Sequence, residues 1–162
     1  MTGGLRLWVV VAICLGAAAA LAADKPWRWY ELGPIALRAP SDMVSSQGGA
    51  DSTAGTLANE CLQIDYDFGA NTDTLQVPLP GSRNYASVET TLGGLPARKV
   101  RYEGVGVNGQ PQVCAALHVA QVHMSSRGPI GLTVMACGGA ADTTQQAEKV
   151  FASVRWRTAA FR

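Results

Sequence analysis

Cysteine, histidine and methionine side chains could form a soft metal site in the second half of this 162-residue sequence. Cys114 and His118 lie in one apolar run, and Met135 and Cys137 lie in the next. Thiol, thioether and imidazole groups are the ligands that copper(I) prefers. A redox or copper-handling protein is therefore one interpretation. No Met-rich or His-rich tract accompanies the set, so we predict no resident metal or cofactor and keep copper handling as the alternative.

A predicted hairpin places these side chains relative to one another. Residues 112–124 and 130–137 are predicted to be antiparallel strands joined by a Ser-Ser-Arg-Gly-Pro turn. The register counted from this turn puts His118 opposite Met135 and puts Cys114 one diagonal step from Cys137. A diagonal neighbour barely meets the Cα separation of about 7 Å that a disulfide tolerates.

The first 23 residues predict a secretory signal peptide that is cleaved near Ala22 and Ala23. Its apolar stretch is short for a membrane span, which needs about 20 residues. An uncleaved anchor is one alternative. A lipid anchor on Cys14 is another, disfavoured because the preceding Ile13 is bulky. The mature chain, residues 24–162, is predicted to be one periplasmic or secreted domain with no stable membrane span.

Export changes the interpretation of the three mature cysteines, because disulfides form in oxidising compartments. Cys61, Cys114 and Cys137 are the candidates, and an odd thiol remains once two of them have paired. Cys61 lies on the polar side of a separate predicted strand and could pair with either of the others. The spacing leaves three outcomes open: Cys114 with Cys137, a pair that includes Cys61, or no disulfide.

The charge composition excludes some partners. The chain has 13 Lys and Arg against 12 Asp and Glu, and one arginine leaves with the signal peptide, so the mature chain is neutral. A neutral chain without a basic stripe argues against nucleic-acid binding and gives no electrostatic reason to bind a membrane surface. Acids are concentrated in residues 24–73 and bases in residues 83–162. These charges either pair within one sheet or form a dipolar surface that steers a protein partner.

No catalytic constellation stands out in the sequence. A Gly-x-Ser-x-Gly motif is absent, and neither histidine has a recognisable set of triad partners. Asp65 and Asp67 share a strand face about 7 Å apart, an arrangement that an ordinary solvated face also explains. Trp27, Trp29 and Trp156 are expected to cover one end of the sheet, and an exposed aromatic ligand platform is the alternative. We predict no enzymatic activity.

Local patterns predict the elements that must hold these side chains. Residues 27–40 indicate a first strand or hairpin, and residues 61–68 alternate strictly as a half-buried strand. Residues 85–92 and 95–103 flank Gly93-Gly94, a signal for a tight hairpin. Residues 41–59 and 69–84 show no periodicity and are predicted to be irregular.

The C-terminal segment changes period. Asp142 or Thr143 can cap a helix, and its apolar positions then follow helical spacing: Ala147, Val150, Phe151 and Val154. Together these elements predict an α+β fold, with a single antiparallel sheet of about five to six strands packed against a C-terminal helix.

The segment TLGGLPARKVRY, residues 91–102, resembles the glycine-glycine hairpin of the PsbP/Mog1-like superfamily. The early strand at residues 35–40 and the closing segment 147–156, with its Ser-Val-x-Trp end, resemble the two ends of that family. The resemblance implies an antiparallel sheet with packed helices, a role in binding or assembly, and no catalytic motif. We therefore predict an exported protein that acts through protein–protein interaction, as an assembly factor or by neutralising a secreted toxin. The oligomeric state is left open.

Overall fold

The computed structural model describes residues 25–47, 54–70, 72, 74–106, 108–125 and 128–157. The predicted signal peptide and its cleavage site at Ala22 and Ala23 lie outside the described residues. The elements in chain order are β1 Trp27–Leu32, β2 Ile35–Pro40, β3 Val44–Gln47, β4 Gly55–Ala58, β5 Leu62–Gly69, β6 Arg83–Leu92, β7 Leu95–Val105, β8 Pro111–Ser125, β9 Gly128–Gly138, α1 Thr143–Ser153 and β10 Arg155–Trp156.

Two antiparallel sheets replace the predicted single sheet. The small sheet has the order β1-β2-β10, and the large sheet has the order β3-β4-β5-β9-β8-β7-β6. The first hairpin pairs with the last strand, Arg155 opposite Ala36 and Trp156 opposite Ile35, and not with its neighbours in sequence. Such a pairing between distant segments leaves no local signal, which is why the prediction of one sheet of five to six strands was wrong.

The predicted loop at residues 41–59 was also wrong, since it contains strands β3 and β4. These strands pair with each other, and β4 continues onto β5. Among the described side chains of the two strands, Leu57 alone is buried. Short strands rich in Ser, Thr and Gly are held mainly by backbone hydrogen bonds, so they lack the apolar alternation by which strands are recognised.

Several local predictions elsewhere are confirmed. The two hairpins β6–β7 and β8–β9 form as expected, and β5 buries Leu62, Ile64 and Tyr66 on one face. The glycine-glycine turn requires positive backbone angles, with φ of 57° at Gly93 and 81° at Gly94. Glycine takes such angles without the steric cost of a side chain.

Helix α1 packs against β2, β8 and β9, so the main core lies between the helix and the two sheets. Its predicted apolar face is buried, including Ala147, Val150 and Phe151. Asp142 occupies the N-cap position, but its carboxylate makes no capping hydrogen bond and accepts one from the Gln146 side chain instead. Within the described part of the chain, no helix is long and apolar enough to cross a membrane.

The opposite face of the large sheet carries a second, smaller core. Its buried members are Leu75, Val100, Tyr102, Cys114, Ala116 and Cys137. Leu75 and the half-buried Leu79 come from the segment between β5 and β6, and Tyr85 donates a hydrogen bond of 2.7 Å to the Leu75 carbonyl. This segment therefore covers the face on which the predicted metal ligands lie.

Candidate functional site

Cys114 and Cys137 form a disulfide across β8 and β9. They are directly opposite each other, with Cα atoms 4.2 Å apart, as is typical of a non-hydrogen-bonded antiparallel pair. Cys61 precedes β5 and is exposed as a free thiol. Of the three outcomes that the spacing left open, the structure selects the Cys114–Cys137 pair.

A register shift explains why the sequence placed these cysteines on a diagonal. Close to the turn the predicted register holds, with Met124 opposite Pro129 and His123 opposite Ile130. An irregularity between Val119 and His123 then inserts two extra residues into β8. A bulge of this kind offsets every pair beyond it.

The same shift separates His118 from Met135. His118 is opposite Thr133, and its Nδ1 lies 2.9 Å from the Thr133 hydroxyl oxygen in a buried position. Met135 is opposite Ala116, and its sulfur accepts a hydrogen bond of 2.9 Å from the Tyr102 hydroxyl. The predicted placement of His118 opposite Met135 was therefore wrong.

These contacts weaken the copper interpretation. Both cysteines of the face are consumed by the disulfide, and the thioether and imidazole make separate protein contacts. Among the described residues, no group of three or more His, Cys, Asp or Glu side chains is placed to hold a metal ion. Cys114, Cys137 and His118 are buried and Met135 is half-buried, so the four side chains act as a structural layer.

Asp65 is likewise engaged in the sheet. Its carboxylate accepts hydrogen bonds from the Thr56 hydroxyl at 2.6 Å and from the Gln63 amide at 2.8 Å. The contact with Thr56 crosses from β5 to β4 and the contact with Gln63 lies within β5, and both are ordinary for a solvated sheet face. The explanation as an ordinary sheet face therefore accounts for the contacts of Asp65.

An open groove on the small sheet is the better candidate site. It has a volume of about 720 Å³ and is lined by Lys25, Pro26, Trp27, Trp29, Arg38, Lys149, Ala152, Ser153 and Arg155. We call this surface the basic-aromatic groove. It lies where the C-terminal half of α1 meets the face of the small sheet, and four of its nine lining residues are cations while none is an acid.

Strand alternation explains how the groove obtains its sheet side chains. Trp29 is opposite Arg38 in the β1–β2 hairpin, so both side chains lie on one face, while the neighbouring pair of Tyr30 and Leu37 is buried in the core. Arg155 reaches the same face from β10, opposite Ala36. Three strands therefore contribute to one cationic surface.

The floor of the groove is held by specific contacts. The Arg38 backbone N–H donates to the Ser153 hydroxyl at 2.8 Å, tying β2 to the last turn of α1. The Arg38 guanidinium donates to the Trp27 carbonyl at 3.3 Å. The Arg155 guanidinium lies over the Trp29 ring, 4.3 Å from its centroid, a cation–π geometry.

The cations of the groove differ in whether a carboxylate neutralises their charge. Lys25 donates to Asp42, and this hydrogen bond lowers the pKa of the Asp42 carboxyl and raises the pKa of Lys25. In the described part of the chain, Arg38, Lys149 and Arg155 form no ion pair with a carboxylate. Three cations are thus left without a carboxylate partner at one surface, and one of them, Lys149, lies 5.9 Å from the centroid of the Trp27 ring.

The tryptophans only partly follow the expectation. Trp27 and Trp156 are half-buried and pack against the main core, as a cover for the end of a sheet would. Trp29 is 42% exposed and faces the groove. The structure therefore supports both alternatives, a cover at two positions and an exposed ring at the third.

Sequence reasoning missed the groove because its members are distributed over more than a hundred positions, as the separation of 115 residues between Arg38 and Ser153 illustrates. One part of it could have been found. The tight turn after Leu32 sets the register of the first hairpin, and that register alone places Trp29 beside Arg38.

Comparison with known proteins gives the fold and no more. No protein-family model matches the chain, and no curated protein matches it in sequence. The fold is similar to that of LpqN of Mycobacterium tuberculosis, described as involved in cell envelope biogenesis, with a TM-score of 0.51 and 17% identity over 85% of this chain and 94% of LpqN. It is also similar to a protein of Bacteroides thetaiotaomicron VPI-5482, with a TM-score of 0.52 and 10% identity over 79% of this chain. This chain spans 48% of the Bacteroides protein.

Proposed function

We propose that this chain is an exported, non-catalytic binding protein of the cell envelope, and that its basic-aromatic groove binds an acidic segment of a protein partner. The observation that carries the proposal is the groove itself. Arg38, Lys149 and Arg155 form no ion pair there among the described residues, and Trp29 offers an exposed aromatic surface beside them.

The chemistry of the groove favours a carboxylate-bearing ligand. Guanidinium groups bind carboxylates through two parallel hydrogen bonds, which adds geometric specificity to charge attraction. Tryptophan and arginine are also the residue types most enriched at binding hot spots. An acidic polypeptide with apolar side chains between its acids matches both features.

The absence of catalysis is part of the proposal. The groove is lined by cations, tryptophans, proline, alanine and one serine, and its Ser153 hydroxyl donates to the Val150 carbonyl while it accepts from Arg38. Among the residues that the structure describes, no histidine or carboxylate lines the groove to serve as a general base. Binding is the activity that this set of side chains supports.

The envelope location rests on the predicted signal peptide together with the disulfide, since disulfides persist in oxidising compartments. A role of LpqN in envelope biogenesis is compatible with such a location. Assembly and toxin neutralisation both remain within the proposal. Membership of the PsbP/Mog1-like superfamily stays a prediction.

The test is a titration of the mature chain with an acetylated hexaglutamate peptide, followed by tryptophan fluorescence at low salt. We expect a saturable change in tryptophan fluorescence as the peptide binds, because Trp27 and Trp29 line the groove. The double variant Arg38→Gln/Arg155→Gln should raise Kd about tenfold or more, which corresponds to about 1.4 kcal/mol.

A matched control removes two exposed arginines outside the groove, in Arg83→Gln/Arg101→Gln. This variant has the same net charge as the first and should bind the peptide with the affinity of the wild type. Equal losses of peptide affinity in both variants would show that the effect comes from net charge and not from the groove. Tighter binding to anionic vesicles or to inorganic polyphosphate than to the peptide would overturn the choice of a protein partner.

A further inference from the structure

Strand β6 forms an edge of the large sheet with unusual exposure. It is the last strand in the sheet order, and its side chains are exposed or half-buried along its whole length. Val88, at its centre, is 58% exposed. Tyr85 and Leu92 pack against the two cores, and residues 86–89 between them present both faces of the strand and one backbone edge to the surroundings.

The other edges that the structure describes are shorter. β3 has four residues, β10 has two and β1 has six, whereas β6 has ten. Natural proteins shorten exposed edge strands or mark them with lysine, proline or bulges, because an open edge pairs readily with another strand. β6 has a register shift near its start, between Arg83 and Ala86, and residues 86–92 then pair regularly with β7 and contain no lysine or proline.

The register shows which backbone groups are free. In a two-residue hairpin the residues that flank the turn form a hydrogen-bonded pair, and the pairs then alternate along the ladder. Leu92 pairs with Leu95, so every second residue back along β6 bonds to β7. Ser87, Glu89 and Thr91 therefore direct their N–H and C=O groups toward the open edge.

The one charge on this segment is already compensated. Glu89 accepts two hydrogen bonds from the Arg98 guanidinium, at 2.8 and 2.6 Å. Residues 86–92 therefore carry no uncompensated charge of their own that would repel an identical strand. Arg101, opposite Ala86 on β7, is a neighbouring cation.

The side-chain pattern is self-complementary about Val88. In an antiparallel pairing with a two-fold axis at this residue, Val88 faces the second copy's Val88, and Thr90 faces the second copy's Ala86. Ser87 faces the second copy's Glu89, and both of these residues have outward backbone groups, as a hydrogen-bonded pair needs. β-Branched and small cross-strand pairs, and a hydroxyl beside a carboxylate, are favourable contacts.

We propose that the β6 edge is the site of homodimerisation, at which residues 86–90 of two copies pair antiparallel about Val88 and join the two large sheets. This interface is separate from the basic-aromatic groove, so the dimer would carry two grooves. The dimer proposal does not depend on the ligand proposed above, and the two are tested by separate experiments.

Sedimentation velocity of the mature chain, from micromolar to millimolar concentration, tests the proposal. We expect a monomer–dimer equilibrium. Val88→Lys places two like charges opposite each other across the axis and should raise the dimer dissociation constant about tenfold or more. Val105→Lys is the matched control, because Val105 is 68% exposed at the end of β7, outside the proposed contact. It should leave the equilibrium unchanged.

A second variant keeps the proposal falsifiable if Val88→Lys fails to fold. In a Cys61→Ser background, Val88→Cys should form an intermolecular disulfide, since facing Cα atoms of a non-hydrogen-bonded pair lie about 4.5 Å apart. Val105→Cys should not. A monomer at all concentrations, equal dimerisation of the two lysine variants, or equal cross-linking of the two cysteine variants would overturn the proposal.

Discussion

The face of the large sheet that carries the Cys114–Cys137 disulfide, here called the disulfide face, differs from the basic-aromatic groove of the small sheet in the burial and bonding of its reactive side chains. On the disulfide face, sulfur and imidazole groups are buried and bonded, with Cys114 joined to Cys137 and His118 held against Thr133. In the groove, guanidinium groups are exposed, and Arg38 and Arg155 form no ion pair with a carboxylate among the described residues.

This difference indicates which reactive residues are available to bind a ligand. A buried polar group is stabilised by its hydrogen bonds and costs free energy when a partner is removed, so its contribution is to folding. An exposed charge without a carboxylate partner contributes little to folding and remains available to an anionic ligand. By this criterion the residues that looked most reactive in sequence are structural, and ordinary arginines and a lysine form the candidate site.

The largest effect should follow removal of the disulfide. Cys114→Ala/Cys137→Ala is expected to lower the free energy of unfolding by about 3 kcal/mol, because the bond closes a loop of about 23 residues in the unfolded chain. Urea denaturation measures this loss. Cys61→Ser is the control and should change stability by less than about 0.5 kcal/mol, since Cys61 is exposed. A loss below that value in the double variant would contradict a structural role for this face.

A smaller loss is expected at the buried histidine. His118→Ala removes a partner of the Thr133 hydroxyl and should cost about 1–3 kcal/mol of unfolding free energy. The hexaglutamate affinity of the folded variant should equal that of the wild type, because the groove lies on the other sheet. A changed peptide affinity would show that the two regions are coupled and would break the comparison.

The smallest effect concerns the one groove cation that is already paired. Asp42→Asn removes the carboxylate partner of Lys25 and should strengthen hexaglutamate binding about twofold, within the range of an exposed ion pair. Glu103→Gln, an exposed carboxylate outside the groove, is the control and should have no effect. An unchanged affinity of Asp42→Asn for the peptide would show that Lys25 does not contribute to peptide binding.

The same pair predicts a pH dependence. The pKa of Asp42 is lower in the folded chain than in the unfolded chain, chiefly through its hydrogen bond from Lys25. Its stabilising contribution is therefore present above the ordinary pKa of aspartate and is lost as the pH falls through the folded value. The difference in unfolding free energy between wild type and Asp42→Asn should vanish in that acidic range, which acid-range urea denaturation would show.

Local sequence signals predicted the hairpins well. The glycine pair at residues 93 and 94, the strict alternation that buries Leu62 and Ile64, and the helical spacing of Val150 and Phe151 each specify an element through its nearest neighbours. Strands β3 and β4 were missed because Ser, Thr and Gly carry no apolar alternation. Backbone pairing across the sheet, and not local preference, holds them.

The sequence by itself determined the period of most elements, the near balance of basic and acidic residues and the candidate cysteines Cys61, Cys114 and Cys137, since each depends only on residue types and their spacing. Tertiary structure decided the rest. A bulge in β8 selected the Cys114–Cys137 pair, and the pairing of β10 with β2 divided the sheet in two. That second pairing also brought Arg155 to Trp29 and Arg38, because only contacts between distant segments can gather dispersed charges into one surface.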